Sequence, residues 1–159
     1  MGAANNMGVV LGHKELKARL DADRSAGKKI VFTNGCFDII HAGHVRYLRE
    51  ARKFGGVLVL ALNTDASVSR LKPGRPVNKE AERAEVAAAL EVVDYVTMFD
   101  EDTPYELIKF LGPDVLVKGG DWKKEDIVGS DLVPETHSLS FHRGFSTTGI
   151  IEKIEKKKS

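Results

Sequence analysis

Apolar positions along the chain follow two patterns that alternate with each other. Continuous apolar runs of strand length, typical of strands covered on both faces, occur in KIVFTN, VLVLAL, DYVTMF and DVLVKGG. Segments with apolar residues at helical spacing lie around them: HKELKARLDADR, GHVRYLREARKFG, KEAERAEVAAALEVV, TPYELIKFLGP and STTGIIEKIEKK. Because strand and helix alternate, we predict an α/β protein with a parallel sheet and helices on both faces.

Local signals predict where several elements begin and end. The first helix is expected from residue 13 to just before Gly27, and Thr103 is expected to be the N-cap of the helix in TPYELIKFLGP. The stretch NTDASVSRLKPGRPVN is predicted to be turn and loop. Residues 13–159 are predicted to form a single domain, preceded by a disordered or tag-like N-terminus over residues 1–12.

Composition narrows the classes of partner. Lys and Arg number 24 against 23 Asp and Glu, so the chain has no basic field to attract a nucleic-acid backbone. It has no apolar run of membrane-spanning length, and its one cysteine suits a reducing compartment. We therefore expect a cytoplasmic protein with neither a nucleic-acid partner nor a membrane span.

The stretch TNGCFDIIHAGH (residues 33–44) lies where the first of these apolar runs gives way to a helix. His41 and His44 are three positions apart, so both rings can face one crevice at the start of that helix, where free N–H groups attract phosphate. Neither G-x-G-x-x-G nor a P-loop is present. Two readings stay open beside phosphate binding: a metal-binding histidine pair, and histidines that only cap the helix or pack in the core.

Three further polar clusters follow predicted strands. The first is a basic, Pro- and Gly-rich loop that could clamp a polyphosphate or could simply be exposed; it contains Lys72, Arg75, Lys79 and Arg83. The second is VKGGDW (residues 117–122), whose glycine pair could let the backbone approach a flat ring or could form a turn. The third opens the last helix with three hydroxyl residues, more than the single one that an N-cap needs: Ser146, Thr147 and Thr148.

Together these segments resemble one family. GCFDIIHAGH resembles the G-x-F-D-x-x-H-x-G-H signature of the cytidylyltransferase-like nucleotidyltransferases, and RGFSTT (residues 143–148) resembles their second signature, in the same order. Within the family, the first signature, LNTDASVSRLKPGRPVN and VKGGDW are most similar to the branch that adenylylates D-glycero-β-D-manno-heptose 1-phosphate. One departure is the short, histidine-containing segment LVPETHSLSFHR, where the family pattern is longer.

The resemblance implies a fold and a reaction. The fold would be a Rossmann-like three-layer sandwich with a mostly parallel five-stranded sheet. The chain would transfer AMP from ATP to the heptose phosphate, releasing pyrophosphate, as the stand-alone form of an enzyme that also occurs fused to a sugar kinase. Partners would be ATP, a sugar 1-phosphate and further copies of the chain in a homodimer or higher homo-oligomer. Alternatives are a glycerol 3-phosphate cytidylyltransferase, another small nucleotidyltransferase, or a non-catalytic nucleotide-binding module.

The resemblance also implies roles for individual residues. The catalytic residues would be His41, His44 and Lys72. Nucleotide-binding residues would be Thr33, Asn34, Gly35, Cys36, Phe37, Asp38, Gly43, Lys118, Gly119, Asp121, Ser146, Thr147 and Thr148. Substrate-binding residues would be Asn63, Asp65, Arg75, Arg83 and Arg143. Mg²⁺ would bind through the ATP phosphates, with no dedicated metal ligand from the protein.

Overall fold

A computed structural model describes residues 7–158. Its six strands form one sheet in the order β1-β4-β3-β2-β5-β6, and every neighbouring pair of these strands is parallel. The strands are β1 (Val9–Val10), β2 (Ile30–Gly35), β3 (Val57–Asn63), β4 (Tyr95–Phe99), β5 (Val115–Gly119) and β6 (Glu135–Leu139). The α/β class and the parallel sheet predicted from the alternation of patterns are therefore confirmed.

Helices cover both faces of the sheet. They are α1 (His13–Ser25), α2 (Ala42–Arg52), α3 (Asp65–Leu71), α4 (Glu80–Ala88), α5 (Tyr105–Leu111) and α6 (Thr147–Lys156). In β3 every residue is buried, and its side chains alternate between the two sides. Val57 and Val59 pack in the core cluster under α1 and α5, whereas Leu58 and Leu60 pack in the cluster under α2 and α4. This alternation produces the expected three-layer sandwich.

The sheet has six strands rather than the expected five, because the chain contributes a strand before α1. Val9 and Val10 pair with Tyr95 and Val96 of β4, and Leu11 is buried. The predicted domain start at residue 13 is therefore wrong for residues 8–12, whereas residues 1–6 lie outside the described part of the chain. A two-residue strand is too short to show any hydrophobic period, which explains why the sequence pattern missed it.

Two local predictions are also wrong. The stretch expected to be loop contains α3, whose N-cap Thr64 accepts the backbone N–H of Ser67 through its hydroxyl at 3.2 Å. Thr103 is not the N-cap of α5, because Pro104 holds that position and makes no side-chain capping bond. The helix ends at Gly112, which adopts the left-handed conformation at φ 58°.

The strand order creates a crevice at one edge of the sheet. From β2 the chain runs outward through β3 to β4, and then returns to the other side of β2 to form β5 and β6. Ligands of such sheets bind beyond the carboxyl ends of the strands at this reversal. No helix within residues 7–158 is both long and apolar enough to cross a membrane.

Candidate active site

A cavity of about 840 Å³ opens at the carboxyl ends of the strands, at the reversal in strand order. It brings together most of the residues predicted from the sequence, although they come from segments up to about a hundred positions apart. The predicted residues that line it are Asn34, Gly35, Cys36, Phe37, Asp38, His41, Gly43, His44, Asn63, Lys72, Arg75, Lys118, Gly119, Ser146, Thr147 and Thr148. A cavity of this size suits a small-molecule substrate.

The two histidines form a reciprocal cap at the start of α2. Nδ1 of His41 accepts the backbone N–H of His44 at 3.4 Å, and Nδ1 of His44 accepts the backbone N–H of His41 at 3.3 Å. Their rings stack with centroids 3.8 Å apart and an interplanar angle of 21°. The helix-capping reading is thus correct for one nitrogen of each ring, while both rings also line the cavity.

This geometry selects one tautomer for each neutral ring. A nitrogen that accepts a hydrogen bond carries no proton, so each neutral ring carries its proton on Nε2, the nitrogen directed away from the capping bond. Burial lowers the pKa of His44 to about 4, with smaller contributions from the charges of His41 and Lys72. Burial also lowers the pKa of His41. At neutral pH the site therefore holds two neutral imidazoles, each with an Nε2–H donor.

Asp38 fastens the basic loop of residues 72–79 to the histidine loop. Its carboxylate accepts the backbone N–H of Val77 at 2.8 Å and that of Asn78 at 2.9 Å, and it lies 3.7 Å from the guanidinium of Arg75. The side chain of Asn78 donates back to the backbone oxygen of Asp38 at 2.7 Å. These bonds give Asp38 a role in holding the loop, because its oxygens are already occupied by protein donors.

Two lysines provide positive charge in the cavity. Lys72 follows α3 and Lys118 lies in β5, and neither forms an ion pair with a carboxylate of residues 7–158. Burial lowers the pKa of Lys118, and the charge of Lys72 adds to this effect. The charge of Lys72 also contributes to the low pKa of His44. Cations that repel one another across a cavity favour an anionic ligand, which would relieve the repulsion.

The hydroxyl cup, consisting of Ser146, Thr147 and Thr148, lines the same cavity at the start of α6. Ser146 is the N-cap, and its Oγ accepts the backbone N–H of Gly149 at 2.9 Å. Thr147 Oγ1 donates to the backbone oxygen of Ile39 at 3.3 Å, and Thr148 Oγ1 accepts from Arg75 at 3.3 Å. The cup is therefore joined to both the histidine loop and the basic loop.

The glycine pair at the end of β5 lets two aromatic side chains of the protein lie against the backbone. A Cβ on Gly119 would lie 3.1 Å from the ring of Phe141, and one on Gly120 would lie 2.8 Å from the indole nitrogen of Trp122. The flat rings that approach this backbone are thus the protein's own side chains. Phe141 is 75% exposed, so the face of its ring that does not cover the glycines is open.

Five of the predicted residues do not line the cavity: Thr33, Asp65, Arg83, Asp121 and Arg143. Arg83 is fully buried and donates to Asp65 at 3.0 Å, to the backbone oxygen of Cys36 at 2.8 Å and to that of Asn78 at 3.1 Å. The charged groups of Arg83 and Asp65 satisfy each other, and this pairing disfavours the substrate-binding roles expected of them.

The other three residues also lie outside the cavity lining. The hydroxyl of Thr33 is 2.6 Å from that of Tyr47, which donates to the backbone oxygen of Val117 at 3.2 Å, so Thr33 is the donor to Tyr47. Asp121 accepts from Ser140 at 3.0 Å, and Arg143 is exposed. Their predicted contacts with nucleotide or substrate stay predictions.

Sequence reasoning missed several lining residues, notably Tyr47, Phe141, His142 and Phe145. Tyr47 lies one turn after His44 on α2, and this helical spacing was the available signal. The other three lie in the segment between β6 and α6, where only the contacts of the folded chain bring them to the cavity. The stretch that departs from the family pattern ends in this segment.

The described side chains of the cavity do not form a ready-made set of metal ligands. Among residues 7–158 no group of three or more His, Cys, Asp and Glu side chains is placed to hold a metal ion. The histidine Nδ1 atoms and the Asp38 carboxylate already accept backbone N–H groups. These observations disfavour the metal-pair reading of the histidines.

Comparison with known proteins finds relatives that match most of the chain. The chain is 57% identical over 129 residues to the bifunctional protein HldE of a Nitratiruptor species, covering 80% of this chain and 28% of that protein. Its identity to the protein of the same name from Hahella chejuensis is 56% over 148 residues, or 90% and 31% of the two chains. The chain thus spans less than a third of the length of these relatives.

Structural and family comparisons extend this similarity. The crystal structure of the lipopolysaccharide core biosynthesis protein from Thermoplasma volcanium GSS1 superimposes with a TM-score of 0.63 at 28% identity, covering 73% of this chain and 99% of that one. A family model described as cytidylyltransferase-like matches residues 32–153, which include both signatures. The chain therefore belongs to the cytidylyltransferase-like family.

Proposed function

We propose that the chain transfers the AMP moiety of ATP to D-glycero-β-D-manno-heptose 1-phosphate, giving ADP-heptose and pyrophosphate for lipopolysaccharide core or surface glycan synthesis. The observation that carries this proposal is the stacked pair His41 and His44, capped through Nδ1, which shares a cavity with Lys72 and the hydroxyl cup. The choice of heptose is supported by the similarity of three sequence segments to that branch and by the structural likeness to the Thermoplasma lipopolysaccharide core biosynthesis protein.

The reaction is a single in-line displacement. An oxygen of the sugar phosphate attacks the α-phosphorus of ATP, a new P–O bond forms, and the bond to the bridging oxygen of the pyrophosphate breaks. Charge gathers on the α-phosphoryl oxygens and on the leaving group, so catalysis rests on positioning and electrostatics. No covalent enzyme intermediate is required.

The cavity residues divide this work between them. The Nε2–H groups of His41 and His44 would donate to the α-phosphoryl oxygens, since Nδ1 of each ring is engaged in the cap. Lys72 and Arg75 would offset the charge of the leaving pyrophosphate. The hydroxyl cup and the first N–H groups of α6 would bind the β- and γ-phosphates.

Mg²⁺ would enter with ATP, held by phosphate oxygens, and would supply further neutralisation of the triphosphate. Asp38 is reserved for the basic loop, which supports a cation bound without a dedicated protein ligand. We also propose a cytoplasmic location, where ATP is available, and a homo-oligomeric state that sedimentation would measure.

Pyrophosphate release from the purified protein tests the reaction. ATP and CTP would each be combined with heptose 1-phosphate, other sugar 1-phosphates and glycerol 3-phosphate, and the products identified by mass. The proposal expects release with ATP and heptose 1-phosphate, slowed by about 10² or more in the His44→Ala variant. Release only with CTP and glycerol 3-phosphate would identify a cytidylyltransferase instead. Nucleotide binding without release for any acceptor would indicate a non-catalytic binding module.

A further inference from the structure

The position of the hydroxyl cup is not secured by core packing. The helix that begins with the cup, α6, buries none of its residues. Core helices such as α2 and α4 are held by several buried side chains, whereas α6 has only its contacts with neighbouring surfaces. The cup must nevertheless keep a constant position relative to the histidine pair if both are to hold one triphosphate. Contacts near the start of α6 therefore determine the position of the cup relative to the histidines.

The segment that leads into α6, residues 140–146, is fastened to α2 at two points; we call it the strap. His142 Nε2 lies 3.0 Å from the carboxylate of Glu50, which can only accept, so the imidazole donates. The guanidinium of Arg46 lies 4.9 Å from the ring centroid of Phe145, in cation–π geometry. Arg46 and Glu50 are four residues apart, so both clamps come from one side of α2.

The strap also fits closely against the start of α2. A Cβ on Gly43 would lie 2.6 Å from the Cβ of Phe145 and 2.9 Å from the His41 ring, so only glycine allows this approach. The rings of Phe145 and His41 are 6.2 Å apart and nearly parallel. The same helix thus carries His44 in its first turn and Glu50 near its end, and the strap spans the distance between them.

We infer that Glu50 is a positioning residue for the nucleotide: by holding His142, it fixes the strap and so sets the hydroxyl cup opposite the histidine pair. This inference rests on the proposed function. Glu50 does not line the cavity, whereas His142 does. An effect of Glu50 on nucleotide binding must therefore pass through the strap. The phosphates of a nucleoside triphosphate would reach from the histidines to the cup. They are therefore the ligand groups whose binding depends on the position of the cup.

The test is a double-mutant cycle between Glu50 and His142. Binding of ATP without acceptor would be measured by calorimetry for wild type, Glu50→Ala, His142→Ala and the double variant. Glu50→Ala should weaken ATP binding about 10-fold, within the range of coupling measured for contacting pairs. Adding Glu50→Ala to His142→Ala should weaken binding no further. Glu50→Gln should stay within about 3-fold of wild type, because its amide oxygen still accepts a hydrogen bond.

Two further readouts separate positioning from a general loss of stability. Arg49→Ala, an exposed neighbour on α2, is the matched control and should bind ATP as wild type does. The melting temperature of Glu50→Ala should change little, because the pair holds the strap, which contributes no residue to the two core clusters. With acceptor present, the KM for ATP should rise about 10-fold while kcat falls by less than about 3-fold.

Wild-type affinity in Glu50→Ala, or losses that multiply in the double variant, would overturn the inference. If the wild-type protein binds ATP but releases no pyrophosphate, the proposed reaction is refuted. The double-mutant cycle then still tests the role of Glu50, because it measures ATP binding alone. A wild-type protein that binds no ATP would overturn both.

Discussion

The imidazoles of His41 and His44 cap each other's backbone and stack at 3.8 Å, so each ring has one nitrogen tied to the helix and one free to donate. Capping the helix and donating into the cavity depend on each other. Because the capping bond occupies Nδ1, the proton stays on Nε2 and the ring cannot turn without losing the cap. A backbone requirement at the start of α2 thereby preorganises two donors in the cavity.

Replacement of His44 by Ala should lower kcat by about 10² or more, the scale for losing a preorganised donor to a developing oxyanion. The fold should survive, since the core clusters contain neither histidine. Steady-state pyrophosphate release with saturating ATP measures the effect. His13→Ala, which alters a histidine outside the cavity that is bonded to the backbone of Met98, serves as control. Near-normal turnover in His44→Ala would refute the assignment.

The stability of the protein should fall as the pH drops from 6.5 towards 4. His44 has a pKa of about 4 when folded, against the ordinary histidine value of 6.5, so the unfolded chain binds more protons in this window and unfolding becomes easier. Above pH 6.5 the ring is neutral in both states and the contribution is constant. Urea unfolding at pH 5 and 7.5 should show a smaller loss in His44→Gln than in wild type. Equal losses would contradict the prediction.

Asp38→Asn should lower the free energy of unfolding without changing the Mg²⁺ concentration that gives half-maximal activity. An amide nitrogen facing the backbone N–H groups of Val77 and Asn78 leaves a donor unsatisfied, which destabilises by about 1–3 kcal/mol. The basic loop should loosen, and the KM for ATP should rise. Titration of Mg²⁺ at saturating ATP should give an unchanged half-maximal concentration. A clear increase in that concentration would instead identify Asp38 as a metal ligand.

Arg83→Ala should destabilise the fold by about 2–4 kcal/mol, because it leaves Asp65 and two backbone oxygens without their donor. Urea unfolding at pH 7.5 measures this loss, and Arg49→Ala provides an exposed arginine for comparison. Where the variant remains folded, its KM for the sugar phosphate should stay within about 2-fold of wild type. A large rise in that KM at unchanged stability would show that Arg83 contributes to substrate binding.

Much of the fold could be predicted from local patterns. The run in β3 is apolar at nearly every position because helices cover both faces of the strand, and this burial is visible without knowing which helices they are. The histidine and hydroxyl signatures likewise marked two walls of the cavity. Two elements could not be predicted in this way. The strand β1 has only two residues, and α3 follows its N-cap Thr64 within a stretch rich in turn-forming residues.

What the sequence by itself determined is where burial and unusual chemistry occur along the chain, because hydrophobic period and motif spacing are local properties. Only the tertiary structure decided which polar groups face the ligand and which satisfy each other. Arg83 reaches Cys36 across 47 positions, and His142 reaches Glu50 across 92. A charged side chain takes the nearest complementary group in space, and that neighbour exists only once the strands have brought distant segments to one edge of the sheet.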